Sequence, residues 1–169
     1  MKSWRSNSMV GQEPTRIFIH GLESSNQGTK AKFFRERYPD MLIPNFPGSL
    51  EERMQKLRSE LEGKSDIILV GSSFGGLMAT IYAMENEERI KRLVLLAPAL
   101  LMMEKTPYKP HPIGVSVWIY HGSHDELLPA EETKKWALNW FKKLNFELVD
   151  DDHMLHKSFR QIDWDSLLS

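Results

Sequence analysis

One pentapeptide of the chain, Gly71-Ser72-Ser73-Phe74-Gly75, matches the pattern G-x-S-x-G. It follows the apolar run DIILV and precedes the helical pattern FGGLMATIYAME, which is the strand–turn–helix context of a nucleophilic serine. A serine on such a tight turn presents its hydroxyl at the end of the sheet, and Gly71 and Gly75 leave room for neighbouring backbone. The pattern therefore predicts Ser73 as a nucleophile. The alternative is a glycine-rich turn that only joins a strand to a helix.

Two later side chains could activate this serine. Asp125 follows the apolar run VSVWIY and His153 follows FELV, so the chain order is serine, acid, histidine. His153 would accept the proton of Ser73, and Asp125 would accept the second imidazole N–H and fix the tautomer. Other interpretations stay open, because Asp125 could only cap a helix and His153 could be a surface histidine. Asp151 or Asp152 could also replace Asp125 as the acid.

The segment His20-Gly21-Leu22 follows the first apolar run. Attack on an acyl carbon requires two N–H donors for the negative oxygen that forms, and backbone groups commonly supply them. We expect these donors to be the N–H groups of Leu22 and Phe74, with Gly21 permitting a close backbone approach. His20 is expected to support this loop by hydrogen bonding and not to act as a base.

The elements that must position these residues alternate along the chain. Six short apolar runs predict buried strands: RIFIH (16–20), MLIPNF (41–46), DIILVG (66–71), RLVLLA (92–97), VSVWIYH (115–121) and FELVD (146–150). Helical patterns separate or follow them, at about 26–37, 50–61, 74–85, from 129 onward, and 155–167. This alternation predicts an α/β domain with about six parallel strands and helices on both faces. Chemistry is then expected at the carboxyl ends of the strands.

Local signals mark two of the helix starts and one irregular connection. Ser49 and Glu52 form the S-x-x-E pattern of a capping box. Pro129 suits the first position of the helix that follows Asp125. The prolines of segment 98–114 argue against a continuous helix there.

Composition limits the class of protein. The chain of 169 residues fits one domain, which we place at residues 15–169 after a polar tail at residues 1–14. A net charge of -1 gives no bias toward nucleic acid or anionic membranes. The absence of cysteine excludes disulfides and a thiolate nucleophile, and it favours a reducing, cytoplasmic location. The longest apolar stretch, 93–103, is too short to span a bilayer.

Metal and cofactor patterns are weak. His121 with His124, and His153 with His156, are spaced three apart, but no H-E-x-x-H motif accompanies them. No glycine-rich nucleotide-binding pattern occurs. We therefore expect no metal and no cofactor. The partner expected for a nucleophilic serine is a small-molecule acyl substrate.

Together these residues resemble the α/β-hydrolase superfamily. The matching landmarks are His20-Gly21-Leu22, Gly71-Ser72-Ser73-Phe74-Gly75-Gly76, His121-Gly122-Ser123-His124-Asp125 with Pro129, and Asp152-His153. Residues 20–25, with Pro44 and Pro47, are similar to small bacterial esterases of the YqiA type and to retinoblastoma-binding-protein-9-like serine hydrolases. The resemblance covers about residues 15–168 and implies cofactor-free, serine-dependent hydrolysis of acyl compounds. The chain departs from the family pattern in two ways. The two antiparallel strands that usually open the sheet are missing, and so is a lid domain, whose place only residues 98–114 occupy.

The expected function is hydrolysis of small acyl esters through an acyl-enzyme on Ser73. A thioesterase, an amidase or a peptidase would use the same three residues, and a non-catalytic binding protein on the same fold remains an alternative. The residues Leu100, Leu101, Met102 and Met103 could line an acyl pocket or simply pack in the core. No oligomeric state is predicted.

Overall fold

The computed structural model describes residues 13–169, so most of the expected polar tail (1–14) lies outside the described residues. The strands are β1 (Thr15–Ile19), β2 (Ile67–Ser72), β3 (Ile90–Leu96), β4 (Ile113–Gly122) and β5 (Phe141–Val149). The α-helices are α1 (Thr29–Arg37), α2 (Leu50–Glu60), α3 (Phe74–Glu85), α4 (Ala130–Trp140) and α5 (Trp164–Leu167). Short 3-10 turns lie at Glu87–Arg89, Leu100–Lys105 and Phe159–Gln161.

The five strands form one parallel sheet in the order β1-β2-β3-β4-β5. The predicted α/β class and parallel sheet are therefore confirmed, with five strands in place of about six. The segment predicted as a strand at 41–46 makes a single parallel bridge, between Leu42 and Ile17. It leaves the sheet because Pro44 has no N–H to donate, while the N–H of Phe46 donates to a histidine instead of a strand.

Helices cover both faces of the sheet, as predicted. Because side chains alternate along a strand, Ile17 and Leu69 face one core, whereas Phe18 and Val70 face the other. The first core is covered by α2, α3 and α4, and the second by α1 and α5. Within the 13–169 range, none of the helices is long and apolar enough to cross a membrane.

Helix α2 begins with the predicted capping box. The Ser49 hydroxyl accepts from the Glu52 N–H at 3.2 Å, and the Glu52 carboxylate accepts from the Ser49 N–H at 3.5 Å. Helix α3 has its predicted bounds, and α4 starts one residue later than predicted, with Pro129 as its N-cap.

The predicted continuous helix at 155–167 is wrong. The chain there makes turns, the 3-10 turn at 159–161 and the four-residue helix α5. Two local features interrupt a helix. Leu155 has a positive φ of 54°, and the side chain of Asp163 accepts from the Ser166 N–H at 3.2 Å, which starts α5 afresh.

The connection at 98–114 contains a 3-10 turn and extended chain, and it forms no lid over the described residues. Leu100 and Met103 are fully buried in the core beneath α3 and α4. These two residues therefore contribute to packing.

Candidate active site

Ser73 lies on the sharp turn between β2 and α3. Its φ of 54° and ψ of -114° are a backbone conformation that non-glycine residues rarely adopt. The turn is held on both sides, because the Ser73 N–H donates to the Leu96 carbonyl at 2.9 Å. The Ser73 carbonyl accepts from the Ala99 N–H, also at 2.9 Å. Strain of this kind persists only where the surroundings enforce it, and it is typical of functional sites.

The two glycines of the pentapeptide are required by backbone packing. A Cβ at Gly71 would overlap the carbonyl of Gly75, and a Cβ at Gly75 would overlap the carbonyl of Ile19 at the end of β1. Gly21 differs, because a Cβ there would lie 3.5 Å from the Ser72 oxygen and 3.6 Å from Ser73 Cβ. These are ordinary contacts, so the expected approach that only glycine permits is not met at Gly21.

The structure brings the three predicted reactive side chains together. Ser73 Oγ lies 3.1 Å from His153 Nε2, and His153 Nδ1 lies 2.6 Å from Asp125 Oδ2. The two contacts are made by the two different nitrogens of the imidazole ring. Because the Asp125 carboxylate can only accept a hydrogen bond, Nδ1 carries the proton of the neutral ring, and Nε2 can accept a proton from the serine. The Asp125 side chain is fully buried, and the His153 side chain is 14% exposed.

Asp125 fills two roles with its two oxygens. While Oδ2 faces His153, Oδ1 accepts from the N–H groups of Leu127 (2.9 Å) and Leu128 (2.8 Å). These donors lie in the turn before α4, whose N-cap is Pro129, so Asp125 does not cap that helix as the alternative interpretation had it. The turn bonds keep Oδ2 aimed at the imidazole.

A second histidine lies beside Asp125. His121 Nε2 donates to the Leu128 carbonyl at 2.8 Å and lies 3.3 Å from Asp125 Oδ2. Its side chain is fully buried, and burial lowers the pKa of His121. His121 therefore contributes a neutral ring that packs the loop after β4.

The two rival acids are engaged elsewhere. Asp151 is buried and accepts hydrogen bonds from the N–H groups of Asp152, Lys157 and Ser158 and from the Ser158 hydroxyl. Asp152 binds His156 Nδ1 at 2.6 Å. Neither of them makes a hydrogen bond to His153, so the geometry favours Asp125 as its partner.

The pKa of Asp151 reflects this environment. Burial alone would raise the pKa of the carboxyl group, but the hydrogen bonds from Ser158, Asp152 and Lys157 outweigh burial and lower the pKa to about 2. The charged carboxylate is thus the form that shapes the loop carrying His153.

His20 fixes the peptide between Gly21 and Leu22. Its Nδ1–H donates to the Gly21 carbonyl at 2.7 Å, and its Nε2 accepts from the Phe46 N–H at 2.8 Å. Burial lowers the pKa of His20, which favours this neutral form. In a planar trans peptide the Leu22 N–H points away from the Gly21 oxygen that His20 holds.

The predicted oxyanion donors remain free. Within residues 13–169, the N–H groups of Leu22 and Phe74 donate to no backbone or side-chain acceptor. Both residues flank the Ser73 turn, since Leu22 lines the same cavity as Ser73 and Phe74 follows Ser73 directly. The Phe74 N–H also lies in the first turn of α3, where helix donors have no partner in the helix.

A cavity of about 250 Å³ opens at Ser73. Its apolar lining residues are Phe18, Leu22, Ala31, Leu127 and Met154. Its polar lining includes Lys30, whose Nζ donates to the Met154 carbonyl at 2.7 Å. None of the residues 100–103 lines it, so of the two alternatives for that segment the structure favours core packing over an acyl pocket.

Two residues near the site were missed by the sequence analysis. Lys30 lies in the cavity, and burial lowers its pKa against the opposing effect of Asp152 and Asp151. Arg53 is 4% exposed and contacts the loop of Leu22. The signal for Arg53 was available, because Arg53, Leu57 and Leu61 are spaced four apart, as on the buried face of a helix.

Neither histidine pair with a spacing of three, His121 with His124 or His153 with His156, belongs to a metal-binding cluster within residues 13–169. His124 pairs with Asp150 at 2.6 Å, and both side chains are exposed. No group of three or more metal-binding side chains occurs in the part of the chain that the structure describes.

Comparison with known proteins agrees with this architecture. The family model described as "alpha/beta hydrolase fold" matches residues 48–113. A curated protein of Mycoplasma pneumoniae named "Putative esterase/lipase 2" is 28% identical over 80% of this chain. The match spans 58% of that relative's length.

Solved structures show the same fold at low identity. Mouse alpha/beta hydrolase domain-containing protein 10 superposes with a TM-score of 0.70 at 20% identity, covering 85% of this chain and 83% of that chain. Est1E from Butyrivibrio proteoclasticus, solved with ferulic acid, gives 0.72 at 16% identity, covering 92% and 86%. At such identities the likeness establishes the fold, and the chemistry must be argued from the residues.

Proposed function

We propose that this chain, whose fold is that of the α/β hydrolases, is a serine hydrolase that cleaves small acyl esters. In this proposal Ser73 is the nucleophile, His153 the general base and Asp125 the residue that orients His153. The N–H groups of Leu22 and Phe74 donate hydrogen bonds to the substrate oxygen that becomes negative. The observation that carries the proposal is the pair of contacts at His153, 3.1 Å to Ser73 Oγ and 2.6 Å to Asp125 Oδ2.

The reaction proceeds in two halves. His153 Nε2 accepts the proton of Ser73 as Oγ attacks the ester carbon, and the carbonyl oxygen becomes negative between the two N–H groups. The imidazolium then protonates the leaving alkoxide, so that the alcohol departs and the acyl group stays on Ser73. In the second half His153 accepts a proton from water, hydroxide attacks the acyl-enzyme, and the carboxylic acid leaves as Ser73 regains its proton.

The cavity supports a small acyl group. Its volume of about 250 Å³ is below the usual range for sites that hold drug-sized ligands. Phe18 and Ala31 make part of its wall apolar, and Leu127 and Met154 form exposed apolar surface beside it. The name of the Mycoplasma relative also favours an esterase. The chemistry needs no cofactor, and the proposed location is the cytoplasm.

Labelling with a fluorophosphonate probe tests the nucleophile. The wild type should be labelled rapidly, and Ser73→Ala should not be labelled although it stays folded, because the reactive oxygen is gone. Ser123→Ala is the matched control, since Ser123 is an exposed serine at the same edge of the sheet. Its labelling should equal that of the wild type.

Two results would count against the proposal. Labelling retained in Ser73→Ala would place the reactive group elsewhere, and a folded but unlabelled wild type would favour a non-catalytic binding protein on this fold. If labelling occurs as expected, a panel of acetyl and butyryl esters, thioesters and anilides identifies the bond that is cleaved. We expect the highest kcat/KM for esters.

A further inference from the structure

Helix α2 buries a positive charge beside the proposed oxyanion donors. Arg53 is only 4% exposed, although arginine is seldom buried without a partner of opposite charge. It lies on the face of α2 that also buries Met54 and Leu57 in the core. A charge at such a position requires a physical reason, because burying it is unfavourable.

The guanidinium contacts both residues that would supply the oxyanion donors. Nη2 donates to the Leu22 carbonyl at 3.4 Å, and the guanidinium carbon lies 5.4 Å from the centre of the Phe74 ring. Nε donates to the Gly48 carbonyl at 3.0 Å, which ties the group to the turn before α2. Arg53 thus connects the loop after β1 with the first residue of α3.

In the part of the chain that the structure describes, no carboxylate lies close enough to neutralise this charge. Other arginines have one, as in the pairs Arg58–Glu85 at 2.8 Å and Arg37–Asp165 at 3.1 Å. Across residues 13–169, no aspartate or glutamate lies within salt-bridge distance of Arg53, and its buried Nη1 has no hydrogen-bond acceptor. Burial lowers the pKa of Arg53, although an arginine side chain remains charged at neutral pH.

We propose that Arg53 is a positioning residue for the oxyanion site: it fixes the Leu22 loop against Phe74, and its uncompensated charge favours the anionic tetrahedral state. This inference rests on the proposed serine hydrolase function. A negative charge on the substrate oxygen exists only in the tetrahedral state. The positive charge of Arg53 therefore acts on kcat and on the binding of anionic tetrahedral analogues, with little effect on ground-state binding.

The test compares three variants in hydrolysis of p-nitrophenyl acetate and in inhibition by phenylboronic acid, which forms an anionic tetrahedral adduct with serine. Arg53→Met removes the charge and the donors but keeps an apolar side chain of similar length. Arg53→Lys keeps the charge. The matched control is Arg89→Met, because Arg89 also donates to backbone carbonyls (Lys64 and Leu61) and stacks on a tyrosine ring. Arg89 lies between α3 and β3, at the amino ends of the strands and therefore away from the candidate site.

We expect Arg53→Met to lower kcat about 10-fold, a fraction of the loss caused by deleting an oxyanion donor, with KM unchanged within about twofold. The inhibition constant of phenylboronic acid should rise by a similar factor. Arg53→Lys should keep kcat within about threefold of the wild type, and Arg89→Met should match the wild type. Replacing a buried unpaired charge by an apolar group should not lower the thermal midpoint.

The inference is overturned if folded Arg53→Met keeps the wild-type kcat, if boronate affinity is unaffected, or if Arg53→Lys is as impaired as Arg53→Met. Should Arg53→Met not fold, Arg53→Gln, which is polar and uncharged, carries the same expectation of about a 10-fold loss. These outcomes are separable from failure of the proposed function. An inactive, unlabelled wild type would refute the serine hydrolase itself, whereas an active wild type with an equally active Arg53→Met refutes only the role of Arg53.

Discussion

The two halves of the candidate site are built by different means. The half that holds Ser73, formed by the loops after β1 and β2, is fixed mainly by backbone contacts at Gly71 and Gly75 and by strained dihedrals. The half that holds His153, formed by the loops after β4 and β5, is fixed by carboxylates. There Asp125 and Asp151 accept hydrogen bonds from backbone N–H groups.

This difference predicts which substitutions should destabilise each half. Backbone packing leaves no space for an added methyl group but contains no carboxylate that must stay charged. The loops of the half that holds His153 also lack space at Gly122, where a Cβ would lie 2.4 Å from the Asp151 carbonyl oxygen. Their order depends in addition on ionised carboxylates and therefore on pH. The stability of the half that holds Ser73, called the nucleophile half after the proposed role of Ser73, should thus depend mainly on volume. The stability of the half that holds His153, called the acid–base half, should depend on the charge of its carboxylates as well.

The largest effect on stability is expected from Gly75→Ala, in the nucleophile half. The new Cβ would overlap the Ile19 carbonyl and lie 2.7 Å from the His20 carbonyl, and neither backbone atom can move without disturbing the end of β1. We expect a loss on the order of 4 kcal/mol in the free energy of unfolding, which few single substitutions reach. Urea denaturation of purified protein measures it.

The control for this change is Gly114→Ala in β4. A Cβ at Gly114 would meet only a glutamate side-chain oxygen at 3.5 Å, so the free energy of unfolding should change by less than about 1 kcal/mol. Equal stability of Gly75→Ala and the wild type would show that the turn has room, and the contrast between the two halves would fail.

In the acid–base half, Asp125→Asn should lower the rate of hydrolysis without unfolding the protein. The amide keeps the volume of the carboxylate, but its NH₂ group cannot accept from His153 Nδ1–H and favours the wrong tautomer. By analogy with serine proteases, kcat should fall about 10³- to 10⁴-fold with the thermal midpoint nearly retained. Hydrolysis of p-nitrophenyl acetate measures it.

Asp150→Asn is the matched control, since Asp150 is an exposed aspartate near the same edge and pairs with His124. Its kcat should be that of the wild type, because a surface ion pair contributes little. A 10³-fold loss in both variants would mean that general charge near the site, and not the contact of Asp125 with His153, sets the rate.

Much of this architecture could be predicted from sequence because the signals were local. The apolar runs predict the parallel sheet, and the α3 pattern FGGLMATIYAME predicts that helix with its observed bounds. The order of Ser73, Asp125 and His153 predicts their meeting, since carboxyl ends of parallel strands share an edge. The failed helix at 155–167 shows the limit. Its apolar residues have helical spacing, but a positive φ at Leu155 and the bonds to Asp151 override that pattern.

The remaining features depend on contacts between distant segments. Arg53 touches the Leu22 loop, 31 positions away, and no local pattern states which loop a buried arginine will meet. The cavity at Ser73 combines residues of β1, α1 and the loops after β4 and β5. One wall of this cavity is formed by α1, and the choice of that helix over the segment 100–103 depends on which element packs beside Ser73.

The smallest expected effect distinguishes charge from shape in the acid–base half, through Asp151→Asn. Asp151 accepts with both oxygens, because Oδ1 accepts from the Asp152 N–H while Oδ2 accepts from the Lys157 and Ser158 N–H groups and the Ser158 hydroxyl. The amide has only one acceptor oxygen, so its NH₂ group would face one of these donors. We expect the free energy of unfolding to fall by about 1–3 kcal/mol. Asp150→Asn should stay within about 0.5 kcal/mol of the wild type.

The pH dependence of this difference identifies its cause. The native pKa of Asp151 is about 2, below the ordinary value of 3.8, so the unfolded chain takes up the proton first as pH falls. The stability that Asp151 contributes is therefore complete above about pH 5 and disappears as pH falls through about 4 toward 2. Urea denaturation from pH 7 to pH 2.5 should show the wild type approaching Asp151→Asn in stability. A difference that stays constant over this range would mean that the side chain of Asp151 acts through its shape, and the acid–base half would then be organised like the nucleophile half.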